Sequence, residues 1–186
     1  MKQSIRIIGG QYRGKKLSFP AINDLRPTPD RVRETLFNWL MHDIHDARCL
    51  DAFAGSGALG FEAFSRGAKE VLFIEQDSIA YDNLKKLCSS FQTPKLSVIK
   101  QNACEYIKQQ AELNERQFDI AFFDPPFKKP ELLDCLAFLD NANLLASSGL
   151  IYIESAIEIP LDPSRWKQLK LKQAGQVIYA LYQKVP

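Results

Sequence analysis

The chain opens on two short apolar runs, IRII at 5–8 and KLSF at 16–19, separated by GGQYRG. Two strand-like segments around a glycine-bearing connection predict a small hairpin. A polar, proline-rich stretch follows, NDLRPTPD, in which Thr28-Pro29 reads as an N-cap with proline at the first helical position. The helix over DRVRETLFNWLM then sets Val32, Leu36, Phe37 and Leu40 on one face, with Arg31 and Glu34 on the other. From residue 48 the pattern changes. CLDAFA, VLFIE (71–75), LSVIK (96–100), FDIAFFD (118–124) and GLIYIES (149–155) are nearly continuous apolar runs of strand length. Between them GFEAFSRG, SIAYDNLKKLCSSF, CEYIKQQAEL and ELLDCLAFL read as helices. Buried strands alternating with helices predict an α/β fold, a parallel sheet covered on both faces. LKLKQAGQVIYALYQ adds two strand-like runs about Ala174-Gly175, which fits a closing antiparallel hairpin. The predicted organisation is a basic hairpin-and-helix extension over 1–41 and a larger α/β domain over 42–186.

A chain of 186 residues, 46% hydrophobic and 25% charged, fits one compact domain with a small appendage. No apolar run approaches the roughly 20 residues of a membrane span, and the N-terminus lacks a signal-peptide pattern, so a cytoplasmic location is expected. Cys49, Cys88, Cys104 and Cys135 form no CxxC pair and no metal spacing, and are predicted to be reduced and mostly buried. His42 and His45 lie three apart with no third ligand, so no metal is expected. Charge changes the picture more. Residues 1–37 hold eight Lys/Arg against three Asp/Glu, whereas the rest hold sixteen against nineteen. A basic leading segment points to a polyanion contact through Arg6, Arg13, Lys15, Lys16, Arg26, Arg31 and Arg33, although a solvated basic surface would read the same way.

Three motifs carry chemistry. DAFAGSGALG (51–60) follows a strand and opens a helix, and Gly55, Gly57 and Gly60 satisfy G-x-G-x-x-G. Glycines there permit a tight turn and close backbone approach to a ligand, whether NAD, FAD or S-adenosylmethionine. Glu75 ends the next strand, 20 residues after Gly55. An acid at that place accepts ribose hydroxyls, which again leaves the cofactor open. The third motif, Asp124-Pro125-Pro126-Phe127, stands beyond a strand on the same rim of the sheet. Two prolines fix the backbone and cannot donate, so their carbonyls serve as acceptors. An acid beside them suits a planar amino group, holding one N–H by Asp124 and the other by the Pro125 carbonyl. Phe127 is placed to stack on a base.

DPPF downstream of DAFAGSGALG resembles the amino-methyltransferases among class I S-adenosylmethionine-dependent enzymes. RIIGGQYRGKKL, LRPTPDRVRETLFNWL, CLDAFAGSGALGFEAFSRGA, FDIAFFDPPF, IYIES and AGQVIYALYQ are similar, in order, to successive blocks of the bacterial 16S rRNA guanine-N2 methyltransferase family. That resemblance implies a Rossmann-like seven-stranded sheet with a small N-terminal extension. It implies methyl transfer from S-adenosyl-L-methionine to a guanine amino group. By position, Asp51, Gly55 and Gly57 would hold the methionine end of the cofactor, with Phe53 also in the cofactor-binding set. Glu75 would hold the ribose, and Asn102 with Ala103 the adenine; many family members have Asp where this chain has Asn102. Asp124 to Phe127 would hold the target amine, and Arg26, Thr28, Arg31 and Arg33 lie in a segment that packs over the cofactor and meets substrate. The implied partner is 16S rRNA within a partly or fully assembled small subunit, with the enzyme expected as a monomer. Three other readings stand beside this one. An NAD- or FAD-dependent oxidoreductase explains the glycine loop but not DPPF. An amino-methyltransferase acting on adenine N6 or on protein glutamine shares the chemistry, although the glutamine enzymes usually carry NPPY. A non-catalytic ribosome-assembly factor could keep the fold.

Overall fold

The computed structural model describes residues 2–21, 28–113, 117–126, 131–141 and 144–185. β1 (Lys2–Arg6) and β2 (Lys16–Pro20) form the expected hairpin, with Ile5 opposite Leu17. α1 (Asp30–Trp39) buries Val32, Leu36 and Phe37 as its periodicity predicts. Its start differs from the sequence reading. Pro29 occupies the cap position and its carbonyl accepts from Val32 and Arg33, while the Thr28 hydroxyl donates to Asp124 at 2.9 Å instead of capping the helix.

The body alternates strand and helix: β3 (Arg48–Asp51), α2 (Ala58–Ser65), β4 (Glu70–Glu75), α3 (Ser78–Ser89), β5 (Leu96–Lys100), α4 (Ala103–Leu113), β6 (Phe118–Phe123), α5 (Glu131–Asn141) and β7 (Leu145–Ser155). β8 (Trp166–Ala174) and β9 (Val177–Lys184) make the closing hairpin. The sheet runs β5-β4-β3-β6-β7-β9-β8, with β9 antiparallel to both of its neighbours and the first five strands parallel. This is the Rossmann-like seven-stranded arrangement that the family resemblance implied, and its parallel part is what the alternating pattern predicted. The chain leaves β3 toward β4 and β5, then crosses back to β6. Its topological switch point, where open α/β sheets bind ligands, lies beyond the carboxyl ends of β3 and β6.

Alternate strand residues face two apolar cores. One holds Phe61, Phe73, Phe122 and Tyr152; the other holds Leu50, Leu72, Phe123 and Ile153. Ile5, Ile7, Leu17 and Phe19 of the N-terminal hairpin belong to the first, so the extension shares its core with the sheet. A buried carboxylate fastens it. Glu62 on α2 accepts from the backbone N–H groups of Ile8 and Gly9 at 2.8 Å each, and pairs with Arg66 at 2.7 Å and Arg33 at 3.4 Å. Gly10 adopts φ +78°, and a Cβ there would lie 1.8 Å from the Ser65 carbonyl oxygen, so glycine is what lets the turn rest on the end of α2.

Cys104 and Cys135, expected to be free thiols, are joined in a disulfide. α4 and α5 carry them on the second core's side of the sheet and bring their Cα atoms to 4.7 Å. Their separation of 31 residues leaves no local spacing from which the pair could be read. Cys49 and Cys88 are free and buried.

Candidate active site

Four of the parallel strands deliver an acid to one rim and one face of the sheet. Asp51 ends β3 opposite Phe73 of β4 and Phe122 of β6. Glu75 and Asp124 stand two residues beyond those partners, so they share Asp51's face. Tyr152 of β7 pairs with Phe122, and Glu154, two further, completes the set. The period of two that buries Phe73, Phe122 and Tyr152 thus turns their successors into a row of carboxyl groups around the switch point.

The glycine loop closes over this row. Gly57 adopts φ +78°, and a Cβ there would meet the Phe61 ring at 2.4 Å, so the tight turn requires glycine. Glu75 ties the loop down, accepting from Gly55 N–H at 2.8 Å and Asp77 N–H at 2.7 Å. The buried Asp51 accepts from Gly60 N–H at 2.9 Å, which satisfies one first-turn amide of α2 from inside the protein. Burial pushes the Asp51 carboxyl up to about 7. The Gly60 bond opposes this, and the charges of Asp124 and Glu75 reinforce it. Burial likewise raises Glu75, against the pull of its bonds from Asp77 and Gly55. Asp124, half-buried, is raised by burial to about 6, with the Thr28 hydroxyl pulling the other way. The site is therefore acidic, with Asp51 raised by the charges of Asp124 and Glu75, and a cationic ligand would relieve that repulsion.

Other predicted residues divide. Phe53 is half-buried beside the loop, packing edge-on against Phe123 at 6.2 Å between centroids. Asn102 spends its side-chain oxygen on the N–H groups of Cys104 and Glu105 at the start of α4, and its amide donates to Gln76 at 3.3 Å. Ala103, the first residue of α4, is buried. Pro125 is buried and Pro126 exposed, while Phe127 lies outside the described residues. Of the basic residues expected on RNA, Arg6, Arg13, Lys16 and Arg31 are exposed, and Arg26 lies outside the described residues. Arg33 is a correction. It is fully buried, bonded to Asp30 at 2.6 Å, the Arg6 carbonyl at 2.9 Å and Glu62, so its charge serves the interior and no phosphate can reach it. Lys15 is half-buried with its Nζ 3.7 Å from the Phe91 ring centroid, which gives it a packing role whatever else it touches.

A family model described as Conserved hypothetical protein 95 matches residues 5–183. The Ribosomal RNA small subunit methyltransferase D of Haemophilus influenzae is 46% identical over 188 aligned residues, covering 98% of this chain and 95% of that protein. The chain belongs to the ribosomal RNA small subunit methyltransferase D family. The Escherichia coli member is likewise 46% identical, over 97% of this chain and 90% of its own length. The solved structure of yhhF from Escherichia coli superposes with a TM-score of 0.88 at 44% identity, covering 98% of this chain and 99% of that one. The glycine loop and DPPF therefore sit in a methyltransferase framework that matches along nearly its whole length.

Sequence reading named three of this methyltransferase's four rim acids. It took IYIES as a strand and passed over Glu154, which is 2% exposed and bonded by the Tyr152 hydroxyl at 2.8 Å. A signal was present. CLD, VLFIE, FFD and IYIE each end an apolar run on an acid, and a lone acid at the end of a buried strand needs a partner or a purpose.

Proposed function

We propose that this methyltransferase moves the methyl group of S-adenosyl-L-methionine to the exocyclic N2 amine of one guanine in 16S rRNA of the small ribosomal subunit. The observation that carries the reading is Asp124 at the switch point. Its Oδ2 is taken by the Thr28 hydroxyl, and among the described residues no donor is bonded to its other oxygen, which lies beside two prolines that offer carbonyls and no N–H. Such a set receives a group with two N–H bonds. Asp124 binds one and the Pro125 carbonyl the other, turning the nitrogen lone pair toward the methyl donor. Asp124 then stands within reach of the proton released as the nitrogen is alkylated. Guanine N2 is occupied in a paired helix, so an unpaired or flipped-out base is required.

The residues fit the cofactor. When bound, it supplies a methyl group already activated on a positively charged sulfur. Asp51, Phe53, Gly55 and Gly57 would receive its methionine end, Glu75 its ribose, and Ala103 with the backbone at Asn102 its adenine. The acidic pocket welcomes that cation. A dinucleotide fits worse. Its pyrophosphate would face Asp51, Glu75 and Asp124, and Gly60, one of the helix amides that bind such a group elsewhere, already donates to Asp51. The chain's work is orientation and electrostatics. Relatives named for the ribosomal RNA of the small subunit support that substrate, and an enzyme acting on it would work in the cytoplasm.

The test incubates purified protein with methyl-labelled S-adenosyl-L-methionine and small subunits from a strain lacking the enzyme, then maps the label by mass. Label on a guanine N2 of 16S rRNA is expected. Label on adenine N6 would move the protein to the alternative class, and no incorporation despite cofactor binding would favour an assembly factor.

A further inference from the structure

Glu154 lies beside Asp124 with no role in the reading above. Ile153 pairs with Phe123, so the residue after each stands at the same height on adjacent strands. Four polar side chains link into one line. The Tyr152 hydroxyl donates to Glu154 Oε1 at 2.8 Å, the Glu154 carboxyl meets the Thr28 hydroxyl, and that hydroxyl donates to Asp124 Oδ2 at 2.9 Å. Tyr152, Glu154 and Thr28 are all buried, whereas Asp124 is half-buried at the rim.

Counting protons along the line decides its direction. Thr28 owns one proton and spends it on Asp124. Its contact with Glu154 is then a hydrogen bond only if Glu154 brings a proton of its own. Tyr152 spends its proton on Glu154 Oε1. With one proton on Glu154 every group is satisfied, donating in sequence toward the rim. With none, two carboxylates compete for a single threonine proton inside the protein, and the approach of Glu154 to Thr28 holds no proton at all. The proton belongs on Glu154 rather than on Asp124 because Glu154 is the more deeply buried, and a charge costs more there. We propose that Glu154 is a positioning residue, a neutral carboxylic acid that donates to Thr28 so that Thr28 donates to Asp124 and Asp124 turns an ionised oxygen to the substrate amine.

The charged and titratable groups around it agree. Asp124 faces Glu154 from the end of β6, Tyr152 from its own strand, and Tyr179 of β9 acts on Tyr152; Thr28, ahead of α1, does not titrate. Asp51 of β3 bears on Asp124 from beyond. Among the described residues no cation acts on Glu154, and burial foremost raises its carboxyl well above the ordinary range, with the charge of Asp124 adding to it and the Tyr152 and Thr28 hydroxyls pulling the other way. The consequence is selectivity. A protonated Asp124 would present a donor and accept a carbonyl, whereas an Asp124 fixed as an acceptor reads N–H.

This rests on Asp124 being the amine acceptor, and the tests separate the two ideas. The first needs no substrate. Infrared spectra of the whole protein at neutral pH should show, beside the contribution of Asp51, a separate carbonyl-stretch component of an un-ionised carboxylic acid that disappears in Glu154→Gln and survives in Asp124→Asn. Its absence from the wild type, or its persistence in Glu154→Gln, overturns the proposal whatever the enzyme methylates. The second reads methylation of small subunits against pH. Glu154→Ala should lower turnover about tenfold, the worth of one good hydrogen bond between neutral groups, and Glu154→Gln should rescue most of that loss, because its amide can donate to Thr28 while its oxygen accepts from Tyr152. Thr28→Val should move the acid limb of the profile up by about one unit, and Thr28→Ser should restore it. An ionised Glu154 predicts the opposite sign. Glu154→Gln would then delete a negative charge beside Asp124 and move the limb down, which overturns the proposal. If the infrared band behaves as expected but the wild type methylates no amine, the function is what fails.

Discussion

Burying Asp124 and Asp51 at the strand ends makes the folded protein hold protons that the unfolded chain would release. Asp124 rises from 3.8 to about 6, and Asp51 from 3.8 to about 7. For an acid whose folded value is the higher one, stability is fully present below the unfolded value and is lost as pH climbs through the folded one. Asp124→Asn cannot ionise, so it should melt above the wild type at neutral pH, by the equivalent of about 1–3 kcal/mol. The gap should close as pH falls toward 3.8. The same variant should lose at least about a hundredfold in turnover while cofactor affinity barely moves, as expected of a group that acts in the transition state. In the wild type kcat/KM should rise along an acid limb centred near Asp124's value of about 6. An Asp124→Asn protein that methylates normally and melts normally would refute both claims. Glu75→Ala removes the proposed ribose acceptor and also frees the Gly55 amide. Titration calorimetry should find S-adenosyl-L-methionine bound more weakly by roughly 1–3 kcal/mol in a protein whose circular dichroism is unchanged. Equal affinities would remove Glu75 from the cofactor site.

Between α4 and α5 the Cys104–Cys135 bond closes a loop of 31 residues. Reduction should cost about 3–4 kcal/mol of stability on chain-entropy grounds, read as a lower melting temperature with reductant. The unreduced, denatured protein should show thiols at Cys49 and Cys88 alone, with Cys104 and Cys135 reacting after reduction. Four reactive thiols before reduction would mean that the bond does not form. Elements of this fold were legible because each has a strong local period. Apolar runs such as FDIAFFD gave buried strands, and Val32, Leu36 and Phe37 gave the inner face of α1. What escaped was decided by distant partners. Thr28-Pro29 carries a good local cap signal, but an acceptor 96 residues away takes the hydroxyl. Arg33 looks like one more cation in a basic run, yet Glu62 and the Arg6 carbonyl draw it inside. The glycine loop, Glu75 and DPPF announced themselves by spacing, whereas Glu154 acquires meaning from strand order, which sets β7 beside β6.

At the scale of the molecule the question is how so small a body would find the one guanine proposed as its target. The N-terminal hairpin is held to α2 by Glu62 and shares the first core, so Arg6, Arg13 and Lys16 are carried on a rigid support. Arg31 is exposed one turn after Thr28, close to the acid row. Cations fixed this way pair with phosphates, which contribute affinity and salt dependence but little sequence information. Selectivity must then come from the shape of a folded RNA presenting one accessible base, with ribosomal proteins in place. A partly or fully assembled small subunit should therefore be a far better substrate than naked 16S rRNA or a short guanine-containing hairpin. Charge reversal at Arg13 and Lys16 should raise KM for the subunit and reduce the salt slope by about one for each phosphate that is no longer neutralised. Lys15 is left out of that pair because its place over Phe91 would confuse docking with folding. Cofactor affinity should stay at the wild-type value, since neither side chain belongs to the glycine loop. The deciding measurement is methyl incorporation into the three substrates across a salt series, with wild type and the double reversal side by side. Equal rates on all three, or a reversal that leaves KM and its salt dependence where they were, would show that the basic extension does not dock on the ribosomal particle.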